Sequence, residues 1–133
     1  MSNKYFYPAV FHKTEGDGFW ISFPDIPECL TEGENMSHAY EMAIDALGLC
    51  LEGRIANNDI PVPSKADEIK VDSDAYLVIV EFDMLEYKKR TSAQAVKKTL
   101  SIPSWLNEAA TASGINFSNV LQEALKERLG IKI

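Results

Sequence analysis

The chain of 133 residues has two cysteines, Cys29 and Cys50, and neither stands in a CxxC or metal-ligand spacing. The opening Met1-Ser2-Asn3-Lys4-Tyr5 has no secretory apolar core, so reduced thiols and a cytoplasmic location are expected. No apolar run approaches the roughly 18 residues that would span a bilayer. Histidine is equally scarce. His12 and His38 are far apart, and with the cysteines they give no four-ligand zinc pattern. Ser22 lacks the glycine-flanked elbow of a hydrolase nucleophile. A two-metal nuclease needs carboxylates clustered on its strands. Here Phe19, Ile21, Leu77 and Ile79 hold strand positions, while Asp17, Asp25, Glu28, Glu32 and Glu34 fall mostly in turns. Only Glu81 and Asp83 with Asp25 remain as a metal-binding set. We therefore expect no catalytic residues, no metal and no cofactor.

What is present is the makeup of a globular protein: 46% apolar and 25% charged residues. The length suits one domain, or a small domain with a dimerisation module. Charge is divided unevenly. Residues 1–90 hold 17 acids against 8 bases, and residues 91–133 hold 3 against 5. An acidic body on a mildly basic tail implies that only the tail meets nucleic acid, while the body attracts something basic. Acidity that merely aids solubility is the plainer alternative.

Along the body, Tyr5–Lys13 reads as a strand, and Pro8 within it argues for an edge strand or a bulge. Glu15-Gly16-Asp17-Gly18 is a hairpin turn. Phe19–Phe23 returns, with Phe19, Ile21 and Phe23 on one face and Trp20 and Ser22 on the other. Trp20 is then either core or an exposed partner contact. Cys29–Glu32 makes a third strand. Ser37 is expected to cap a helix to about Ala56, its apolar stripe Tyr40, Ala43, Ile44, Leu47, Cys50 and Leu51. Ile60-Pro61-Val62-Pro63-Ser64 is an extended connector. Ala75–Phe82 reads as a central, well-buried strand. The body is thus β-β-β-α-β over residues 1–85, followed by a polar linker at 86–95 that a partly helical stretch would also fit.

The tail, residues 96–133, starts with an alternating stretch. Leu100 and Ile102 lie on one side and Lys97, Thr99 and Ser101 on the other, with Lys98 beside them, up to Pro103. A helix follows with the stripe Leu106, Ala109, Ala110 and Ser113. Gly114 suits its C-terminus. Asn116 is placed to cap a second helix whose stripe is Val120, Leu121, Ala124, Leu125 and Leu129. So small a strand-helix-helix unit seldom buries enough to fold alone, and its strand needs a second chain. Two copies would form a polar-faced ribbon of a size that fits the DNA major groove. A helical hairpin used only for dimerisation is the alternative.

The tail resembles the ribbon-helix-helix family through the strand ending in Ile102-Pro103, the turn Gly114-x-Asn116-x-Ser118 and the apolar Val120-Leu121. By that resemblance Lys97, Thr99 and Ser101 read bases, the amides around Phe117 and Ser118 at the helix start hold a phosphate, and Lys98 and Asn119 are further DNA-binding residues. Phe117 stands where the family often carries a basic residue. The whole chain looks like the HicB antitoxin family. The runs Tyr7-Pro8-Ala9-Val10-Phe11-His12-Lys13, Gly18-Phe19-Trp20-Ile21-Ser22-Phe23-Pro24-Asp25-Ile26-Pro27-Glu28-Cys29 and Thr31-Glu32-Gly33 carry the likeness. It continues through Ala43–Leu51 and Ile60–Ser64. This resemblance implies an α+β fold, a partial RNase H-like body with a ribbon-helix-helix tail. It implies a small basic RNA-cleaving toxin of the HicA type as partner, operator DNA as a second partner, and a homodimer, with higher-order assembly open. Trp20, Asp25, Glu28, Glu32 and Glu34 are the expected toxin contacts. An effector-sensing ribbon-helix-helix repressor without a toxin is the alternative function.

Overall fold

The computed structural model describes residues 4–131. The chain divides into two compact units, Met1–Gln94 and Ala95–Ile133. The first holds strands β1 (Lys4–Lys13), β2 (Phe19–Ser22), β3 (Leu30–Gly33) and β4 (Ala75–Asp83), with helices α1 (Met36–Ala56) and α2 (Met84–Thr91). The second holds α3 (Ser104–Ala112) and α4 (Phe117–Leu129). The fold is α+β, with one four-stranded antiparallel sheet in the order β3-β2-β1-β4.

β1 is internal to this sheet and its registers run one to one, against the expectation from Pro8 of an edge strand or a bulge. The register gives the reason. Lys13 N–H donates to Asp74 C=O at 3.2 Å, so the odd-numbered residues of β1 hydrogen-bond toward β4. Pro8 therefore turns its nitrogen to the β2 side. The β1–β2 ladder stops at Val10 opposite Ser22, and the next hydrogen-bonding position in that register would set Pro8 against Pro24. Two residues without amide hydrogens end the ladder together, so the missing donor at Pro8 costs nothing. β4, expected as the buried central strand, lies at the edge. Its Val80 and Phe82 are buried, whereas Tyr76 and Ile79 are exposed. A run of branched residues does not reveal how many neighbours a strand has.

α1 covers one face of the sheet. Tyr7, Phe11, Ile21, Val80 and Phe82 meet Ala39, Ala43, Leu47 and Leu51 in a continuous core. Each buried leucine stabilises the fold by about 1.5–3 kcal/mol. The expected stripe residues Tyr40, Ile44 and Cys50 pack at its margin. Asn35, rather than Ser37, caps α1: its side chain accepts from His38 N–H at 2.9 Å. The helix ends at Asn57, and Asn58 adopts a left-handed φ of 52°.

The expected linker at 86–95 is largely helix. α2 follows β4 directly, and Asp83 caps it by accepting from Glu86 N–H. Tyr87 is buried against Phe82 and sits so close to Gly48 that a Cβ there would overlap its ring. Lys88–Glu52 and Arg90–Asp45 ion pairs flank it. The glycine on α1 is invisible as a docking site unless the fold is known.

Two fastenings hold the long loops. The Asp25 carboxylate accepts from both the amide and the hydroxyl of Ser64, and Tyr7 donates to Pro61 C=O at 2.6 Å. The Pro61–Ser64 connector is thereby tied to the body. Arg54 donates through two nitrogens to Glu28, both at 2.8 Å, and also meets Asp59 at 3.3 Å. The hydrogen-bonded Arg54 guanidinium holds the Glu28 carboxyl down to about 2.

Gly48→Val should displace Tyr87, destabilise the first unit by about 1–3 kcal/mol in urea unfolding, and expose α2 to proteolysis; an unchanged midpoint would contradict the docking. For Glu28 the folded value is depressed, so its contribution is present above the unfolded carboxyl value near ~4.3 and is lost as pH falls toward 2. The stability gap between the native chain and Glu28→Gln should thus be present at neutral pH and close as the solution is acidified. A gap independent of pH would remove the ion pair as its cause.

Candidate functional site

Two surfaces carry the residues singled out in the sequence. On the first unit, strand alternation sends Trp20 to the sheet face opposite α1 and leaves it 44% exposed. Its ring is not loose. His12 lies directly across the ladder, and the two rings stack at 3.6 Å with an interplanar angle of 7°. The other side of the imidazole is fixed by Nε2, 3.0 Å from Ser22 Oγ. On the far side Trp20 faces Glu32 of β3 in register. His12 read as an ordinary strand residue from the sequence; only the strand register makes it a support for Trp20.

Glu32 and Glu34 are exposed and border an open groove of about 450 Å³ with Glu15, Asp17, Phe19 and His38. His38 Nδ1 accepts from Glu34 N–H at 3.0 Å, which leaves the imidazole proton on the other nitrogen. The hairpin turn and the β3–α1 junction thus bring four carboxylates to one end of the sheet. Asp25 and Glu28 are placed differently. They face Ser64 and Arg54 within the chain, and their sequence neighbourhood with the other acids does not extend to a shared site. Glu81 is paired with Lys4 at 3.1 Å, so Asp25, Glu81 and Asp83 have separate partners rather than a common centre. Among the described residues no group of three or more potential metal ligands gathers. No helix there is long and apolar enough to cross a membrane.

In the second unit, Lys97, Lys98, Thr99 and Ser101 are all exposed, and this stretch has no ladder partner among the described residues. The turn after α3 is as the sequence suggested. Gly114 has φ 67°, and the Asn116 side chain accepts from Asn119 N–H at 3.1 Å to cap α4. Phe117 and Ser118 supply the first amides of that helix, which have no intrahelical acceptors. Neither α3 nor α4 buries a single residue. The stripes expected to be buried stand open in the single chain, Leu106 and Val120 half-exposed and Leu129 72% exposed. Leu100, Ile102, Phe117, Val120 and Leu121 line an apolar groove of about 480 Å³. Both helices are formed, α4 with an Asn116 cap and α3 without a side-chain cap at its start, yet they have no interior.

The family model described as "HicB_like antitoxin of bacterial toxin-antitoxin system" matches residues 7–125. "Antitoxin HicB 1" of Photorhabdus laumondii is 42% identical over 67 residues, covering 50% of this chain and 43% of that protein. "Antitoxin HicB" of Escherichia coli K12 is 41% identical over 59 residues, 44% of this chain and 43% of that one. The matched stretch therefore spans less than half the length of these curated relatives. Among solved structures, "Toxin-Antitoxin complex from Streptococcus pneumoniae" aligns with a TM-score of 0.58 at 26% identity, covering 94% of this chain and 99% of that one. The antitoxin HicB of Burkholderia pseudomallei, at 20% identity and a TM-score of 0.50, shares the fold over 94% and 96% of the two chains. With the family model matched across both units, the chain belongs to the HicB-like antitoxin family of bacterial toxin–antitoxin systems.

Proposed function

We propose that this chain neutralises a small, basic, HicA-type RNA-cleaving toxin by covering its active site, and that it represses its own operon. The family match over residues 7–125 carries the proposal. In it the first unit, a partial RNase H-like domain, is the toxin-binding part. Trp20 is the apolar anchor: it is exposed, held rigid by His12, and rimmed by Glu32. A fixed aromatic side chain loses little entropy on binding, which suits an interface hot spot. Glu32 and Glu34, with Glu15 and Asp17, supply the field that draws a basic partner.

The second unit acts as a ribbon-helix-helix. Two copies pair Lys97–Ile102 antiparallel, and the open stripes of α3 and α4 become a shared four-helix core. Lys97, Thr99 and Ser101 of both chains then face the major groove, and Lys98 lies beside them. The start of α4 at Phe117, Ser118 and Asn119 receives a phosphate, since its amides point outward and its dipole favours negative charge. Acidic bodies and basic ribbons on one assembly let toxin and DNA be bound at the same time.

Replacing Lys97, Thr99 and Ser101 together with Ala should abolish sequence-specific operator binding, at about 1–3 kcal/mol per lost base contact, while co-expression still rescues growth from the toxin. Retained affinity and specificity would show that the ribbon does not read the bases. Reversing Glu15, Asp17, Glu32 and Glu34 to Lys should slow toxin association by on the order of tenfold or more at low salt, with a smaller effect at high salt. An unchanged association rate in stopped-flow measurements would detach the acidic surface from toxin capture.

A further inference from the structure

We propose that β4 carries a self-complementary open edge, through which the first units of two copies of this chain join their sheets into one. The inference rests on which backbone amides are left over. Because Lys13 N–H donates to Asp74 C=O, the register makes residues 76, 78, 80 and 82 hydrogen-bond toward β1. Ala75, Leu77, Ile79 and Glu81 then point to the open side. Both ends of that row are already closed. Ala75 N–H donates to Asp72 C=O at 3.1 Å, and Glu81 N–H donates to the Tyr40 hydroxyl at 3.2 Å. Leu77 and Ile79 remain, and among the described residues neither amide has an acceptor.

An antiparallel strand that satisfies these two amides and no others must set one residue with a free edge opposite each of them. A second β4 does so with its two-fold axis at Val78. Leu77 of one copy then exchanges both backbone hydrogen bonds with Ile79 of the other, and the reverse pair repeats the exchange. The side chains agree with the backbone. Leu77 and Ile79 share the sheet face that carries no helix, where Ile79 is 44% exposed, so both pairs are apolar against apolar. Tyr76 falls beside Val80 of the copy and Ala75 beside Glu81, so no like charges meet in the pairs from Ala75 to Glu81. Branched and aromatic cross-strand pairs of this kind contribute about 0.2–1 kcal/mol each. Sliding the copy two residues either way fails. Centring on Ile79 demands the Glu81 amide that Tyr40 holds and sets Leu77 against a carboxylate. Centring on Leu77 demands the Ala75 amide that Asp72 holds. Long open edges are a hazard that folds normally blunt with charge, proline or a short strand. The other edge, β3, is short and presents Glu32, whereas β4 is nine residues long and presents two aliphatic side chains at its middle.

The test uses the full chain. Val78→Cys, in a chain also carrying Cys50→Ser, should form a covalent dimer on exposure to oxidised glutathione, because position 78 lies opposite itself. Tyr76→Cys in the same background should not, since it lies opposite Val80. Adding Ile79→Pro removes one of the two free amides without touching the β1 ladder and should abolish the Val78→Cys link. Circular dichroism verifies that the proline variant is folded, and Ile79→Lys serves as the edge variant if it is not. In the unmodified chain, exchange of the Leu77 amide should slow by on the order of tenfold or more with rising protein concentration. Added salt should strengthen the association, because two acidic bodies are brought together. Equal cross-linking at 76 and 78, insensitivity to both edge variants, or free exchange of Leu77 and Ile79 in the concentrated chain would overturn the proposal. So would salt-weakened association, which would point to a basic strand from another protein.

Discussion

Two formed helices without a core are the constraint from which most of this molecule follows. Apolar side chains at helical spacing stabilise a helix only when something covers them, and α3 and α4 cover nothing of their own. Their caps are in order, with Gly114 in the left-handed region and Asn116 holding the Asn119 amide. Their stripes nevertheless face solvent. In the function we propose, a segment so well finished locally and so incomplete globally takes its core from a second copy. That requirement also explains the preceding Lys97–Ile102 stretch, whose alternation has no use until another strand lies beside it.

The first unit obeys a different economy. Its sheet has one face closed by α1 and one face open, and strand alternation sorts the residues between them. Phe19 and Ile21 go to the closed side, while Trp20 goes to the open one and is steadied by His12. Around this rigid patch the loops are fastened by polar contacts rather than by further core. Arg54 gathers Glu28 and Asp59, and Asp25 gathers the Ser64 backbone and hydroxyl. The result is a sheet face with a rigidly held aromatic patch, and with carboxylates gathered at one end of the sheet. DNA is repelled by such a face, and a basic protein is attracted.

Much of this could be read from the residues alone because it depends on local chemistry. The alternation around Trp20, the αL glycine at 114, the Asn116 cap and the stripe of α1 are all short-range signals. What the sequence concealed depends on neighbours that are distant along the chain. Pro8 suggested an edge strand, yet β1 is internal because the ladder on that side ends against Pro24. The branched run of β4 suggested a centre, yet it has one neighbour. Asn35 rather than Ser37 caps α1, a difference of less than one turn that hydropathy does not resolve. α2 looked like a linker because Tyr87 is its one buried residue and its receptor is the empty space above Gly48. Of the acidic residues, Glu32 and Glu34 border the open groove, while Asp25 is bonded to Ser64 and the exposed Glu28 to Arg54, and a count of charges does not separate them.

The central claim is that the α3–α4 unit obtains its core from a second chain. Amide hydrogen exchange across Ser104–Leu129, followed as the protein is diluted, tests it most directly. The account predicts that protection of both helices falls together with dimer concentration, as required when association supplies the interior. Strong protection that persists unchanged in a demonstrably monomeric chain would contradict it.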